Sequence, residues 1–393
     1  MKKLIILLLS LTFILTVGCS PETRKSESVL DNPEMHISMG MKFFNDGKYE
    51  EAKKEFDDAI KIAWKKKADK AGAYAGLGMY YAVKGDNGKA KDNAKEGISL
   101  NDDLPLVHTC YGRTMMYMNK GGDADEWLED AIEEFDEALE KADELRDIKA
   151  QAEAHYFKGM AAKYAYKFSI AKDAFSEVVK LKSLYATEAN AQWEIVQMIE
   201  RAKPGTKIGA KVALLDEVGK AEIAILFIEE LKINAVLTKR EKKEYDTGFK
   251  APEDPMKFEA AKAEAKLAVD IDKNWAKSWI IQVLENGVME TAPDHKFYPD
   301  KKITRAEYAL MLLRVMVLIS NDEALYTKHF GEENSMFVDV RTSHPAYNAM
   351  AVCATRGIMK ANLRGEFGLA NTISGAEALL IIRDFQNALS LTF

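Results

Sequence analysis

Apolar residues recur at helical spacing through most of this chain, and the places where the rhythm breaks divide it into segments. The first segment is an apolar run over residues 4–17 behind Lys2 and Lys3. It has the length of a signal-peptide core and falls short of the ~20 residues needed to span a bilayer. The residues after it, up to Asn32, are polar, include Pro21, and predict a flexible spacer. From Pro33 a helical pattern with a period of about 34 residues begins. Gly40, Phe43, Gly47, Tyr49, Ala52, Phe56 and Ala59 form one set, and Tyr74, Leu77, Gly78, Tyr81, Gly85, Ala90, Ala94 and Gly97 form the next. His108, Gly112, Met115, Ala131, Phe135 and Ala138 form a third, whose turn is longer by seven residues around Gly121-Gly122-Asp123. His155, Gly159, Ala162, Phe168, Ala171 and Phe175 form a fourth. Small residues at fixed places let paired helices approach closely, and the aromatic residues fill the space between them.

The helical pattern continues less regularly. Residues 186–202 carry Trp193, Val196 and Ile199 at helical spacing, and Pro204-Gly205 ends that helix. Residues 213–236 predict one long apolar-rich helix and residues 239–255 a charged loop. Residues 258–269 predict a further helix with Ala261, Ala265 and Ala268 on one face. Together these make residues 204–268 a degenerate helical repeat that joins the regular sets to the last part of the chain. The four regular sets, within residues 33–203, resemble tetratricopeptide (TPR) repeats, and four exceed the roughly three that such stacks need for stability. The resemblance implies an α-solenoid that presents a concave surface to a protein or peptide.

The last part of the chain, residues 269–390, is a tandem. Phe297 answers to Phe367, Ile303 to Ile373, Thr304 to Ser374 and Glu307 to Glu377, while Gly287, Val288 and Met289 answer to Gly357, Ile358 and Met359, all 70 residues apart. A constant offset through two loops and a helix start marks a duplicated unit. Thr304-x-x-Glu307 and Ser374-x-x-Glu377 both have the form of a capping box, in which the hydroxyl accepts from a free N–H of the first turn and the glutamate reaches back to the cap residue's own N–H. Arg305 has no such structural duty, and its counterpart is Gly375. A planar cationic fork beside a helix N-terminus suits a carboxylate, and Trp275 offers a flat apolar face for a sugar ring. The plain alternative is that Arg305 is a solvated first-turn residue and Trp275 is core.

Asp270-Ile271, Trp275-Ala276, Gly287-Val288, Phe297-x-Pro299, Ile303-Thr304-Arg305-Ala306-Glu307 and Leu312-Leu313-Arg314 resemble an S-layer homology (SLH) module, and the stretch from Phe337-Val338-Asp339-Val340 to Arg383 resembles it more loosely. The resemblance implies helix-loop-helix units, usually in threes, that bind cell-wall polysaccharide or peptidoglycan. It makes Arg305 and Trp275 the candidate ligand-binding residues. Two modules are readable. The expected fold is therefore mainly α: a TPR-like α-solenoid followed by a tandem helix-loop-helix SLH-like domain.

Composition narrows the picture further. With 47% hydrophobic and 30% charged residues, the chain is ordinary for a globular protein, and 393 residues suffice for two or three domains. The net charge is −7, and losing Lys2 and Lys3 with a leader leaves 53 basic against 62 acidic residues. That balance argues against nucleic acid as the main partner. Thr16-Val17-Gly18-Cys19 resembles the lipobox of bacterial lipoproteins. This implies a signal peptide over residues 1–18, lipidation at Cys19, a linker over residues 19–32 and a membrane anchor. If the cell has two membranes, Ser20 in place of an Asp after the cysteine favours the outer one. Cys110 and Cys353 then remain, each in a helical pattern, and are read as buried inert thiols.

No enzyme, metal or cofactor signature stands out. The six histidines show no ligand spacing, and neither a glycine-rich phosphate loop nor a Gly-x-Ser-x-Gly elbow occurs. Glu133, Glu134, Asp136 and Glu137 flank apolar Ile132, Phe135 and Leu139 and read as the solvated face of an amphipathic helix. The sequence points to a lipid-anchored cell-envelope tether, with a wall-binding C-terminal part and a protein-binding solenoid. The alternative is an envelope protein-assembly lipoprotein that works through the solenoid alone, with the SLH-like part as a structural cap.

Overall fold

The computed structural model describes residues 23–28, 31–62, 66–122, 126–241 and 268–390. Cys19, most of the charged segment after residue 241 and most of the helix expected over residues 258–269 lie outside them. Among the described residues the fold is helical, and no helix is long and apolar enough to cross a membrane. The chain divides into two compact units, Met1–Trp193 and Glu194–Phe393.

The N-terminal unit is a series of helix pairs. They are α1 (Pro33–Asn45) with α2 (Tyr49–Lys61), α3 (Ala71–Val83) with α4 (Asn87–Leu100), α5 (Pro105–Asn119) with α6 (Trp127–Glu144), and α7 (Ile148–Tyr164) with α8 (Phe168–Leu181). The first two pairs turn at Gly47 (φ 76°) and Gly85 (φ 80°), a left-handed conformation that only glycine adopts without steric cost. Between the helices, aromatic rings sit against missing side chains. A Cβ at Gly40 or Gly76 would lie 2.5 or 2.4 Å from the Phe56 ring, and one at Gly112 or Gly159 would lie 2.7 Å from Phe135 or Phe175. All three phenylalanines are completely buried. This is the small-against-large pairing that the periodic sets predict.

Two features of this unit differ from the expectation. The end of the expected spacer is held in place, because Arg24 donates its main-chain N–H to Lys61 O (2.8 Å) and pairs through both guanidinium nitrogens with Asp31 (2.6 and 2.7 Å). Asp31 also bonds His36 on α1 (2.9 Å). Glu134, expected on a solvated face, binds the buried His108 at 2.8 Å.

The first helices of the pairs also bury a cation. Arg113 on α5 lies 3.7 Å from the Phe157 ring centroid, donates to Asn45 Oδ1 (2.7 Å) and pairs with Glu153 (3.3 Å). Tyr185 covers the cluster by stacking on Tyr156 at 4.5 Å and accepting from Asn45.

After α9 (Ala186–Ala202) comes α10 (Lys207–Ala213), and the single long helix expected over residues 213–236 is instead two, α11 (Lys220–Glu229) and α12 (Ile233–Glu241). The break before α11 has a physical cause. Gly219 caps α11, its N–H donating to Glu222 (2.8 Å), and Val218 is drawn into main-chain pairing with distant segments. The connector thereby belongs to the C-terminal unit. The two tandem copies follow, as α13 (Lys277–Glu285) with α14 (Arg305–Ser320) and α15 (Tyr347–Thr355) with α16 (Gly375–Ala388).

Three extended residues, one before each of α11, α14 and α16, close a ring of main-chain hydrogen bonds. Ile303 N–H donates to Val218 O (3.1 Å), Ile373 N–H to Ile303 O (3.0 Å) and Val218 N–H to Ile373 O (3.0 Å). The ring gives the C-terminal unit a pseudo-threefold core. Val218-Gly219-Lys220-Ala221-Glu222 therefore occupies the place held by Ile303-Thr304-Arg305-Ala306-Glu307 and Ile373-Ser374-Gly375-Ala376-Glu377. Around the axis, Phe227 stacks on Tyr308 (6.1 Å), whose hydroxyl donates to Ala378 O (3.0 Å).

Candidate functional site

Each helix start in the ring faces the loop of a neighbouring copy. Arg305 N–H donates to Asn371 O (2.9 Å) and Ala306 N–H to Leu369 O (3.2 Å). At the preceding helix start Lys220 N–H donates to Lys301 O (3.0 Å) and Ala221 N–H to Pro299 O (2.9 Å). The acceptors in the two places are 70 residues apart, as in the tandem itself. The first residue of each helix is thus aimed at an equivalent groove, and its side chain decides what the groove holds.

Arg305 reaches across its groove. Its Nε donates to Phe367 O (2.8 Å), Nη2 donates to Lys360 O (2.9 Å), and the guanidinium lies 5.0 Å from the Phe367 ring. Nη1 pairs with the carboxylate of Glu377, and the Arg305 side chain keeps 14% exposure. Asp339 shapes the far wall by accepting from the N–H groups of Phe367 and Gly368 (both 2.7 Å). Asp270 does the same for Phe297 and Tyr298 in the first copy (both 2.8 Å). The space in front of Arg305 is a polar pocket of about 340 Å³, lined among others by Lys360, Asn362, Gly368, Asn371 and Glu377. Burial works against the charge of Arg305 and Asp339 supports it.

Lys220 stands in the equivalent place. Its Nζ donates to Glu290 O (2.8 Å) and lies 4.3 Å from the Phe297 ring, as Arg305 does with Lys360 O and Phe367. Its groove is smaller, about 190 Å³, and more apolar, with Val288, Met289 and Leu310 beside Arg314. Burial lowers the lysine's pKa. The third groove is closed. Gly375 N–H donates to Leu215 O (2.8 Å), and a Cβ on Gly375 would stand 1.8 Å from Val212 O. The end of α10 fills the space where a third cation would reach.

The capping residues behave unequally. Thr304 and Glu307 close their box in both directions, the carboxylate accepting from Thr304 N–H (3.0 Å) and Glu307 N–H donating to the hydroxyl (3.3 Å). Ser374 accepts from Glu377 N–H (3.2 Å), but the box expected there is half-formed, because the Glu377 carboxylate turns to Arg305.

Arg305 and Trp275 are not brought together. Trp275 is 58% exposed at the start of α13, edge-on to Trp279 at 6.0 Å, and Trp279 Nε1 donates to Glu229 (2.7 Å). Trp275 does not line the pocket in front of Arg305. Neither residue fits the plain alternative, since Arg305 is bonded across the groove and Trp275 is not core.

The sequence reading missed Lys220. Its signal was present in the frame of a β-branched aliphatic residue, two others and Ala-Glu that residues 218–222 share with residues 303–307. Glycine in the cap position and a spacing of 85 rather than 70 residues disguise it. Cys110 and Cys353 are fully buried, and burial pushes both thiols up to about 12. Among the described residues no cluster of histidine, cysteine and carboxylate groups is arranged to hold a metal ion.

No curated protein matches the chain. The S-layer homology domain matches residues 269–309 and again residues 337–379, so the two copies that carry the helix starts at Thr304 and Ser374 are the part of this chain that is similar to that family.

Proposed function

We propose that the protein is a membrane-anchored tether of the cell envelope. S-layer homology domains bind cell-wall polymers, and the match over residues 269–309 and 337–379 supports wall binding by the C-terminal unit. The observation that carries the reading is the groove in front of Arg305, a polar pocket with a fixed guanidinium at its back. A guanidinium held in this way presents Nη1 to a carboxylate, which suits an acidic wall polysaccharide or the lactyl and peptide carboxylates of peptidoglycan. Lipidation at Cys19 would hold the other end on a membrane, since each buried methylene contributes ~0.8 kcal/mol and several chains make release slow. The TPR-like helix pairs would engage a protein or peptide partner.

The test is co-sedimentation of the chain from Ser20 onward with purified cell-wall sacculi, alongside Arg305→Ala after circular dichroism confirms that both are folded. Loss of a charge-assisted contact predicts about a tenfold or greater weakening. Equal pelleting of the two proteins would remove Arg305 from the site.

A second reading has observations of its own. The third groove is filled by α10, and Glu377 already occupies the Arg305 fork. Both suit a C-terminal unit whose role is structural, in an envelope lipoprotein that acts by protein binding through its N-terminal helix pairs. Failure of the wild-type chain to pellet selects this reading.

A further inference from the structure

The glutamate in front of Arg305 is there because the cations around the two helix starts differ: the second copy lacks one lysine and has a longer groove cation. In the first copy Glu307 is kept on its own helix start by Thr304 N–H and by Lys301 Nζ at 2.5 Å, while the groove cation facing that copy is Lys220, occupied with Glu290 O. In the second copy Asn371 stands where Lys301 stood, so Glu377 has no lysine beside it, and the groove cation is the longer, forked Arg305. Glu377 therefore leaves Ser374 N–H without its carboxylate and crosses to Arg305. Of the three equivalent helix starts, those at Gly219 and Thr304 have the glutamate of the first turn bonded back to the cap N–H, and the one at Ser374 does not.

We infer that Glu377 is an internal stand-in for the ligand: a carboxylate-bearing wall polymer takes its place on Arg305, and the released Glu377 swings back to close the open capping box at Ser374. This rests on the wall-binding reading above. Two features make the exchange feasible without remodelling the groove. Arg305 keeps its bonds to Phe367 O and Lys360 O when Glu377 departs, so the fork stays aimed at the pocket with Nη1 free. Ser374 N–H provides a defined destination one helical turn away, of the kind that Glu222 and Glu307 already occupy. A stand-in of this sort raises the threshold for binding. A neutral polymer cannot displace a carboxylate from a guanidinium, whereas an acidic one exchanges like for like.

The experiment has two arms on the full chain. The first measures co-sedimentation with sacculi for wild type, Glu377→Gln and Arg305→Ala. Removing a partly exposed competitor predicts about two- to fivefold tighter binding for Glu377→Gln, with Arg305→Ala losing binding. Binding of Glu377→Gln that is equal to or weaker than wild type overturns the inference. The second arm follows amide exchange at Ser374 by selective 15N-serine labelling, without any ligand. Arg305→Ala frees Glu377 and is expected to slow Ser374 exchange severalfold, and unchanged exchange overturns the inference. If wild type does not pellet at all, the wall-binding reading fails, and the second arm still decides whether Glu377 switches partners.

Discussion

The two units repeat themselves in opposite ways. In the N-terminal unit the repeat is written in side chains: a glycine on one helix opposes a phenylalanine on its partner, as Gly40 does Phe56 and Gly112 does Phe135. In the C-terminal unit it is written in the main chain, through the ring of Val218, Ile303 and Ile373, and the side chains at equivalent places differ widely. Lysine, arginine and glycine follow the three cap positions. A stack held by side chains constrains its sequence at every turn, whereas a ring held by peptide groups leaves the groove residues free to diverge into an open groove, a narrow one and a sealed one.

That contrast can be broken most severely at Gly375. A methyl group there meets the carbonyl of Val212, a main-chain atom that cannot rotate away. Gly375→Ala is expected to destabilise the C-terminal unit by about 3 kcal/mol or more, read in denaturant unfolding. Gly112→Ala should cost less, about 1 to 3 kcal/mol, because the Phe135 ring it meets can shift. Adding Phe135→Leu should recover part of the loss in a double-mutant cycle. If Gly112→Ala proves as costly as Gly375→Ala, and Phe135→Leu gives no recovery, the distinction between yielding side chains and unyielding main chain falls.

The same contrast explains what could be read in advance. The four helix pairs were legible because small residues recur where helices meet, Gly40, Gly112 and Gly159 against phenylalanines and Gly78 against Ala94. The Thr304 cap and the tandem offset were legible for a similar reason, since a capping box needs particular side chains. The Val218 segment was not, because hydrogen bonds from peptide groups carry no side-chain signature, and glycine at position 219 removes the hydroxyl that would have marked the cap. The change of allegiance of Glu377 depends on the difference between Lys301 and Asn371 across a groove. Sequence neighbours do not reveal such a difference.

The smallest expected effect concerns pH and the N-terminal unit alone. Burial disfavours the charged form of His36 and His108, but bonds of His36 to Asp31 and Glu55, and of His108 to Glu134 and Asp102 O, raise both pKa values overall. A raised imidazole contributes stability that is fully present below the unfolded value of about 6.5 and is lost as pH climbs through the folded one. Burial lowers the pKa of His155 in the same unit and works the other way. With two raised histidines against one lowered, the unfolding temperature of the N-terminal unit should drop by roughly a few degrees between about pH 6 and about pH 9. His108→Gln should flatten that slope. A slope of opposite sign would mean that the histidines are held neutral.

Among the described residues there are two cysteines, and the boundary between the units separates them: Cys110 lies in one and Cys353 in the other, each completely enclosed. Enclosed thiols react with a reagent only when the surrounding helices come apart, so each sulfur is a built-in stopwatch for its own half of the molecule. Single-cysteine variants would time the breathing of the stack and of the ring separately, with no probe added to either surface.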